Sequence, residues 1–204
     1  MNTNPHNIKL VAVDMDGTFV RSDYTYNIPR FKAILSRMKE AECQFVVASG
    51  NQYYQLRSHF PDDHNEFSFI AENGALVKNK EELIFSANIS KEAIMLTIEL
   101  CKKHPEIKNV MCGLKSAYCQ RGRVSDEFFK LTNIYYHRLK WVDDFTQVND
   151  QILKFAPTVP VEKTMYYYEL FRDELNGLLA PTTSGHGSID LIIPGCHKAS
   201  GLKK

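Results

Sequence analysis

"IKLVAVDMDGTFV", Ile8–Val20, is the stretch from which this chain can be read. Its first half is a continuous apolar run rich in β-branched residues, the pattern of a strand buried on both faces of a parallel sheet. Two carboxylates, Asp14 and Asp16, stand one residue apart where that run ends. Side chains so spaced on an extended strand point the same way, and Gly17 supplies a turn directly afterwards. Like charges this close repel, so a partly desolvated pair needs a cation or a division of labour between ionised and protonated forms. Magnesium meets both demands, because it binds through one or two carboxylates, waters and a substrate phosphate. The bare "DxD" spacing is also what an Asp-rich turn would give.

Outward from this stretch the pattern alternates. "IPRFKAILSRMKE", Ile28 to Glu40, sets Ile28, Phe31, Ile34, Leu35 and Met38 at helical spacing, with Pro29 tolerated in the first turn. A second buried run, "CQFVVAS", follows. Strand, helix, strand is a βαβ unit whose ligands gather beyond the carboxyl ends of the strands, which places Asp14 and Ser49 at one edge. "NQYYQLRSHF" and "FSFIAENGA" read as a further helix and strand, and "ENGALVKNKEELIF" as a hairpin turning near Lys78 to Lys80. From about Ser86 to Ser188 helices instead alternate with paired short strands, an α+β layer inserted into the first domain. The expected fold is α/β, a Rossmann-like core with a parallel sheet made by residues 1–85 and 189–204, with an α+β cap domain at 86–188.

Composition narrows the partners. The chain has 204 residues, enough for a sizeable core, and 25 basic residues nearly cancel 24 acidic ones. Neither nucleic acid nor an anionic membrane finds an electrostatic footprint here, so a small molecule is the expected partner. Five cysteines lack CxxC spacing, no signal peptide is evident, and no apolar run is long enough to span a bilayer; the expected location is cytoplasmic.

Longer strings are more specific. "DMDGT" after a buried strand resembles the nucleophile motif of the haloacid dehalogenase-like hydrolases. "VVASGN" is similar to their second motif, "PGCHKASGL" to their third, and "AENGA" to a stretch of the Cof-type branch with the larger α+β cap. "SGNQYYQL" and "IDLIIPG" resemble the YbiV-like sugar phosphatases of that branch. The resemblance implies a magnesium-dependent hydrolase of small sugar phosphates acting through an aspartyl-phosphate. Asp14 would be nucleophile, Asp16 general acid and base, both carrying the metal site, while Ser49, Gly50, Asn51 and Lys198 would bind phosphate. Read without it, Ser49 and Asn51 suit an ordinary helix N-cap and Lys198 a solvated surface lysine.

One departure stands out. The family's fourth motif, an acidic "GDxxND"-like string beyond the lysine motif, does not occur before the sequence stops at "SGLKK", so the chain resembles a carboxyl-terminally truncated member with an incomplete core. A phosphomutase with the same nucleophile and a non-catalytic fragment are the competing readings. His186, in "TTSGHGSID", suits a cavity-facing loop or a surface turn. His197 reads as structural, and Met165 and Tyr166 to Tyr168 as packing residues of a helix.

Overall fold

The computed structural model describes residues 8–204; the amino-terminal seven, with the start of the core and the expected absence of a leader, lie outside them. Strand β1 (Leu10–Val13) pairs in parallel with β2 (Gln44–Ala48), and β2 in parallel with β3 (Ser68–Ala71). Two antiparallel strands, β4 (Leu76–Asn79) and β5 (Glu82–Ser86), complete the order β1-β2-β3-β4-β5. Helix α1 (Ile28–Glu40) forms the crossover and α2 (Tyr53–Ser58) follows β2. Asn27 caps α1 by accepting from the Arg30 N–H at 3.0 Å, and Pro29 sits in its first turn, where no hydrogen bond is lost.

Two expectations fail here. β1 is an edge strand, not one buried on both faces: Leu10 is 40 % and Val11 38 % exposed, and among the described residues only β2 pairs with it. On α1, Phe31 and Leu35 face the core, but Ile28 and Ile34 are exposed, so the apolar stripe is narrower than its spacing suggested. An aromatic cluster fills this layer, with Phe60 centred 5.5 Å from Phe31 and 5.0 Å from Phe67.

The second layer is a six-stranded sheet in the order β10-β11-β9-β6-β7-β8, built from β6 (Lys108–Gly113), β7 (Ala117–Gln120), β8 (Leu139–Val142), β9 (Ile152–Thr158), β10 (Ala180–Gly185) and β11 (Ser188–Ile192). Its pairings are antiparallel except β7 with β8. Since β11 runs to Ile192, the return to the first layer expected at residue 189 falls beyond it. Strand alternation divides this sheet. Met111, Phe155, Ile189 and Leu191 pack under α3 (Lys91–Lys103) and α5 (Thr164–Leu175), whereas Val110, Lys154, Ala156, Ser188 and Asp190 face a cavity. Helix α4 (Asp126–Thr132), capped by Ser125, covers part of that second face. No described helix is long and apolar enough to cross a membrane.

Candidate active site between core and cap

The register Val13↔Val47 brings the ends of β1 and β2 side by side, so Asp14 and Ser49 do share an edge. Met15 is fully buried and anchors the turn between the two carboxylates, accepting from the N–H groups of Phe19 and Val20 at 3.0 Å each. Gly17 takes φ 68°, the left-handed conformation that the expected turn requires. The two carboxylates meet different partners. Lys198 Nζ donates to Asp14 Oδ1 at 2.6 Å, and Asn51 Nδ2 donates to Asp16 Oδ2 at 2.8 Å. Four expected site residues are thus joined in two pairs.

Lys198 opens the short helix α6 (Lys198–Gly201). His197 caps it: its Nδ1 accepts from the Ser200 N–H at 3.1 Å, and the Ser200 hydroxyl accepts from the His197 N–H at 2.9 Å. This is the structural role expected for His197. Ser49 is buried, and its Oγ accepts from the Asn51 N–H at 3.1 Å. Neither Ser49 nor Asn51 is a helix N-cap, because α2 begins beyond Gln52, whose side chain caps nothing. The Gln52 amide instead crosses to the cap, where it donates to Arg138 O at 3.1 Å and accepts from the Arg138 N–H at 3.0 Å.

The cavity between the layers has a volume of about 740 Å³. Gly50, Asn51 and Asn73 form its core side; Tyr135, Thr182 and His186 are among the cap residues around it. His186 therefore does both things its sequence allowed, lining the cavity from a hairpin turn at φ 54°. Of the aromatic run in α5, Tyr167 is buried, while Met165 and Tyr166 are largely exposed and do not pack as expected.

A buried polar cluster went unread in the sequence. Lys154, on β9, is 2 % exposed and donates to Gly50 O at 2.7 Å and to Asp190 Oδ2 at 3.2 Å. It also stands 3.4 Å from Glu72 Oε2, close enough to pair charges though not aligned as a hydrogen bond. Asn73 Nδ2 donates to the same Asp190 oxygen at 2.7 Å. Burial pushes the Glu72 carboxyl up to about 7 despite the neighbouring ammonium. Burial pulls Lys154 down, but Asp190 and Glu72 outweigh it and hold the ammonium above its ordinary range. The available signal was a charge inside an apolar strand, "ILKFAP" and "SIDLII", since a buried charge is the unusual observation and a buried apolar residue is not.

No group of three or more His, Cys, Asp or Glu side chains among the described residues is arranged to hold a metal. Asp14 and Asp16 are nevertheless a donor set suited to magnesium, a hard ion that keeps several waters and needs only one or two carboxylates. Asp14 is half-exposed, so water can complete such a shell.

Residues 11–204 match the haloacid dehalogenase-like hydrolases. The chain is 42 % identical over 197 residues to the 5-amino-6-(5-phospho-D-ribitylamino)uracil phosphatase YbjI of Escherichia coli strain K12, covering 97 % of this chain and 72 % of that protein. Among solved structures, SMU.1108c from Streptococcus mutans UA159 is similar at a TM-score of 0.89 and 34 % identity, over 96 % of this chain and 74 % of that one. The subclass IIB sugar phosphatase BT4131 shares the fold at a TM-score of 0.77 and 16 % identity, over 96 % and 74 % of the two chains.

Proposed function

We propose that this chain, which belongs to the haloacid dehalogenase-like hydrolases and is by lineage a phosphoric monoester hydrolase, is a magnesium-dependent phosphatase of small sugar or polyol phosphates. The observation that carries the reading is the unequal partnering of the two carboxylates, Lys198 on Asp14 and Asn51 on Asp16. Lys198 holds one Asp14 oxygen and leaves the other to attack phosphorus. As the Asp14–phosphorus bond forms, the bond to the substrate oxygen breaks, and Asp16 gives that oxygen its proton. Asp16, now ionised, takes a proton from water, which attacks the same phosphorus and frees Asp14 as phosphate departs. The Lys198 ammonium, the Ser49 hydroxyl and the Gly50 N–H receive the phosphate oxygens, since the Ser49 and Asn51 N–H groups are engaged by Ile70 O and Ser49 Oγ. Magnesium, held by the Asp14 carboxylate and the Asp16 main-chain carbonyl so that the Asp16 side chain stays free for proton transfer, would supply further charge neutralisation there.

The leaving group then lies in the cavity between core and cap. The Escherichia coli relative is named for a phosphorylated ribitylamino-uracil, a polyol phosphate with a planar head. A polar floor at Asn73 and Asp190 and an aromatic wall at Phe128 and Tyr135 suit the same chemistry. The five unpaired cysteines suit a reducing, cytoplasmic setting.

Phosphate release from ribitol 5-phosphate or glucose 6-phosphate with magnesium tests this reading. Asp14→Asn should abolish turnover, and wild-type rates in that variant would remove Asp14 as nucleophile. Asp16→Asn should slow turnover by roughly 10² to 10⁴-fold, the usual worth of a general acid and base. An unchanged rate on a substrate with a poor leaving group would refute that role.

A further inference from the structure

We propose that Lys154 is a positioning residue of the phosphate loop, so that the cap takes part in binding phosphate and not only in choosing the leaving group. This rests on the phosphatase reading above. Lys154 belongs to the cap sheet, paired through β9 with β6 and β11. Its ammonium nevertheless lies across the seam, on the carbonyl of Gly50 at 2.7 Å. Gly50 is the middle residue of the Ser49–Asn51 loop. In a planar trans peptide the carbonyl and the following N–H point to opposite sides. With the Gly50 carbonyl turned to Lys154, the Asn51 N–H is turned the other way, where it meets Ser49 Oγ. Rotation of this peptide would take the Asn51 N–H off Ser49 Oγ and set an acceptor oxygen in its place, so the hydroxyl would no longer be held with its own O–H free for phosphate.

The surroundings clamp the same loop. Glu72 and Asn73 both take left-handed backbone conformations, φ 50° and 55°. The Glu72 N–H donates to Asn51 O at 3.1 Å, and the Asn73 N–H to Ser49 O at 3.2 Å. Asn73 packs so tightly on Gly50 that a Cβ there would stand 2.7 Å from its Oδ1. Asp190, the other acceptor of the Lys154 ammonium, borders the cavity, and among the described residues only its Oδ2 receives protein hydrogen bonds. Its Oδ1 is left to a substrate hydroxyl, so a bound leaving group touches the residue that anchors Lys154.

Stability alone explains this poorly. A buried ammonium is costly to desolvate, and a buried ion pair is commonly matched or bettered by apolar side chains of similar volume. A structural brace would need only the Asp190 and Glu72 charges. The hydrogen bond to Gly50 serves the loop.

The test compares the wild-type chain with Lys154→Met and with the double variant Lys154→Met, Glu72→Gln, which leaves no unpaired Glu72 charge. Magnesium-dependent hydrolysis of phenyl phosphate, calorimetric affinity for inorganic phosphate, and melting temperature are measured on each. Lys154→Met should lose stability and bind phosphate about tenfold or more weakly, the worth of one hydrogen bond to a charged group. The double variant should regain melting temperature but not phosphate affinity, and KM for phenyl phosphate should rise although that substrate is too small to fill the cap. Recovery of phosphate affinity together with stability in the double variant would show Lys154 to be a structural brace only, and so would unchanged affinity in Lys154→Met. A wild-type chain that neither hydrolyses phenyl phosphate nor binds phosphate would overturn the phosphatase reading itself.

Discussion

Glu72 is held away from its ordinary state twice, by a left-handed backbone and by a buried side chain raised to about 7 from the usual 4.5. Conformations of this kind cost on the order of 1 kcal/mol or more each and persist where the surroundings over-determine them. The titration has a definite sign. Between about pH 4.5 and 7 the folded chain holds a proton on Glu72 that the unfolded chain has released. The stability this group contributes is therefore complete below 4.5 and is lost as pH rises through 7. Glu72→Gln should flatten the melting temperature against pH across that window, after subtraction from wild type, and parallel curves for the two proteins would refute the assignment. At this scale the meeting of the acidic pair, the Ser49–Asn51 loop and Lys198 was legible because motif spacing carries it. Glu72, Asn73, Lys154 and Asp190 were not, because they come from three separate segments, the turn after β3, β9 and β11, and only tertiary pairing makes their polar groups tolerable inside a core.

Helix α6 shows how an element too short to be stable alone is placed by its neighbours. Isolated helices of this length do not form in water. The His197 capping box closes its first turn, and two glycine contacts set its position. A Cβ on Gly201 would stand 2.5 Å from Ile70 on β3. A Cβ on Gly74, at φ 87°, would fall within the carbonyl of His197, the residue before Lys198. Gly74→Ala should therefore cost about 1–3 kcal/mol and pull Lys198 from Asp14, lowering turnover as well as melting temperature. Full activity with only a stability loss would separate the two. Elements with strong periodicity, such as α1 and the β4–β5 hairpin, could be read in advance. β8 could not: "RLKWV" alternates over too few residues, and it becomes a strand because it pairs in parallel beside β7. The exposure of β1 was likewise illegible, since apolar β-branched runs do not say whether both edges are paired.

Across the whole molecule, Leu153 and Leu114 pack against the core's apolar cluster, and polar links between cap and core include Lys154 on Gly50, Asn73 on Asp190, Gln52 on the Arg138 backbone, and the Tyr24 hydroxyl on that of Tyr135 at 3.3 Å. The cavity between the two layers has an uneven charge balance. Asp190 presents a carboxylate, no arginine lines the space among the described residues, and the Lys154 ammonium is already engaged by Gly50 and Asp190. A leaving group with hydroxyl or amine donors can satisfy Asp190, whereas one with its own carboxylate meets like charge there with no free lysine or arginine among the described lining residues. Like-charge juxtaposition in a partly desolvated site costs several kcal/mol. Ribitol 5-phosphate should therefore be preferred over 3-phosphoglycerate by about 100-fold or more in kcat/KM, the kinetic equivalent of roughly 3 kcal/mol. Asp190→Asn removes the charge but keeps an acceptor, so it should narrow that ratio even as it loosens Lys154 and lowers both rates. Parallel measurement on the two substrates decides it: equal kcat/KM in the wild type, or a ratio unmoved by Asp190→Asn, would mean that selection lies elsewhere in the cap than at this carboxylate.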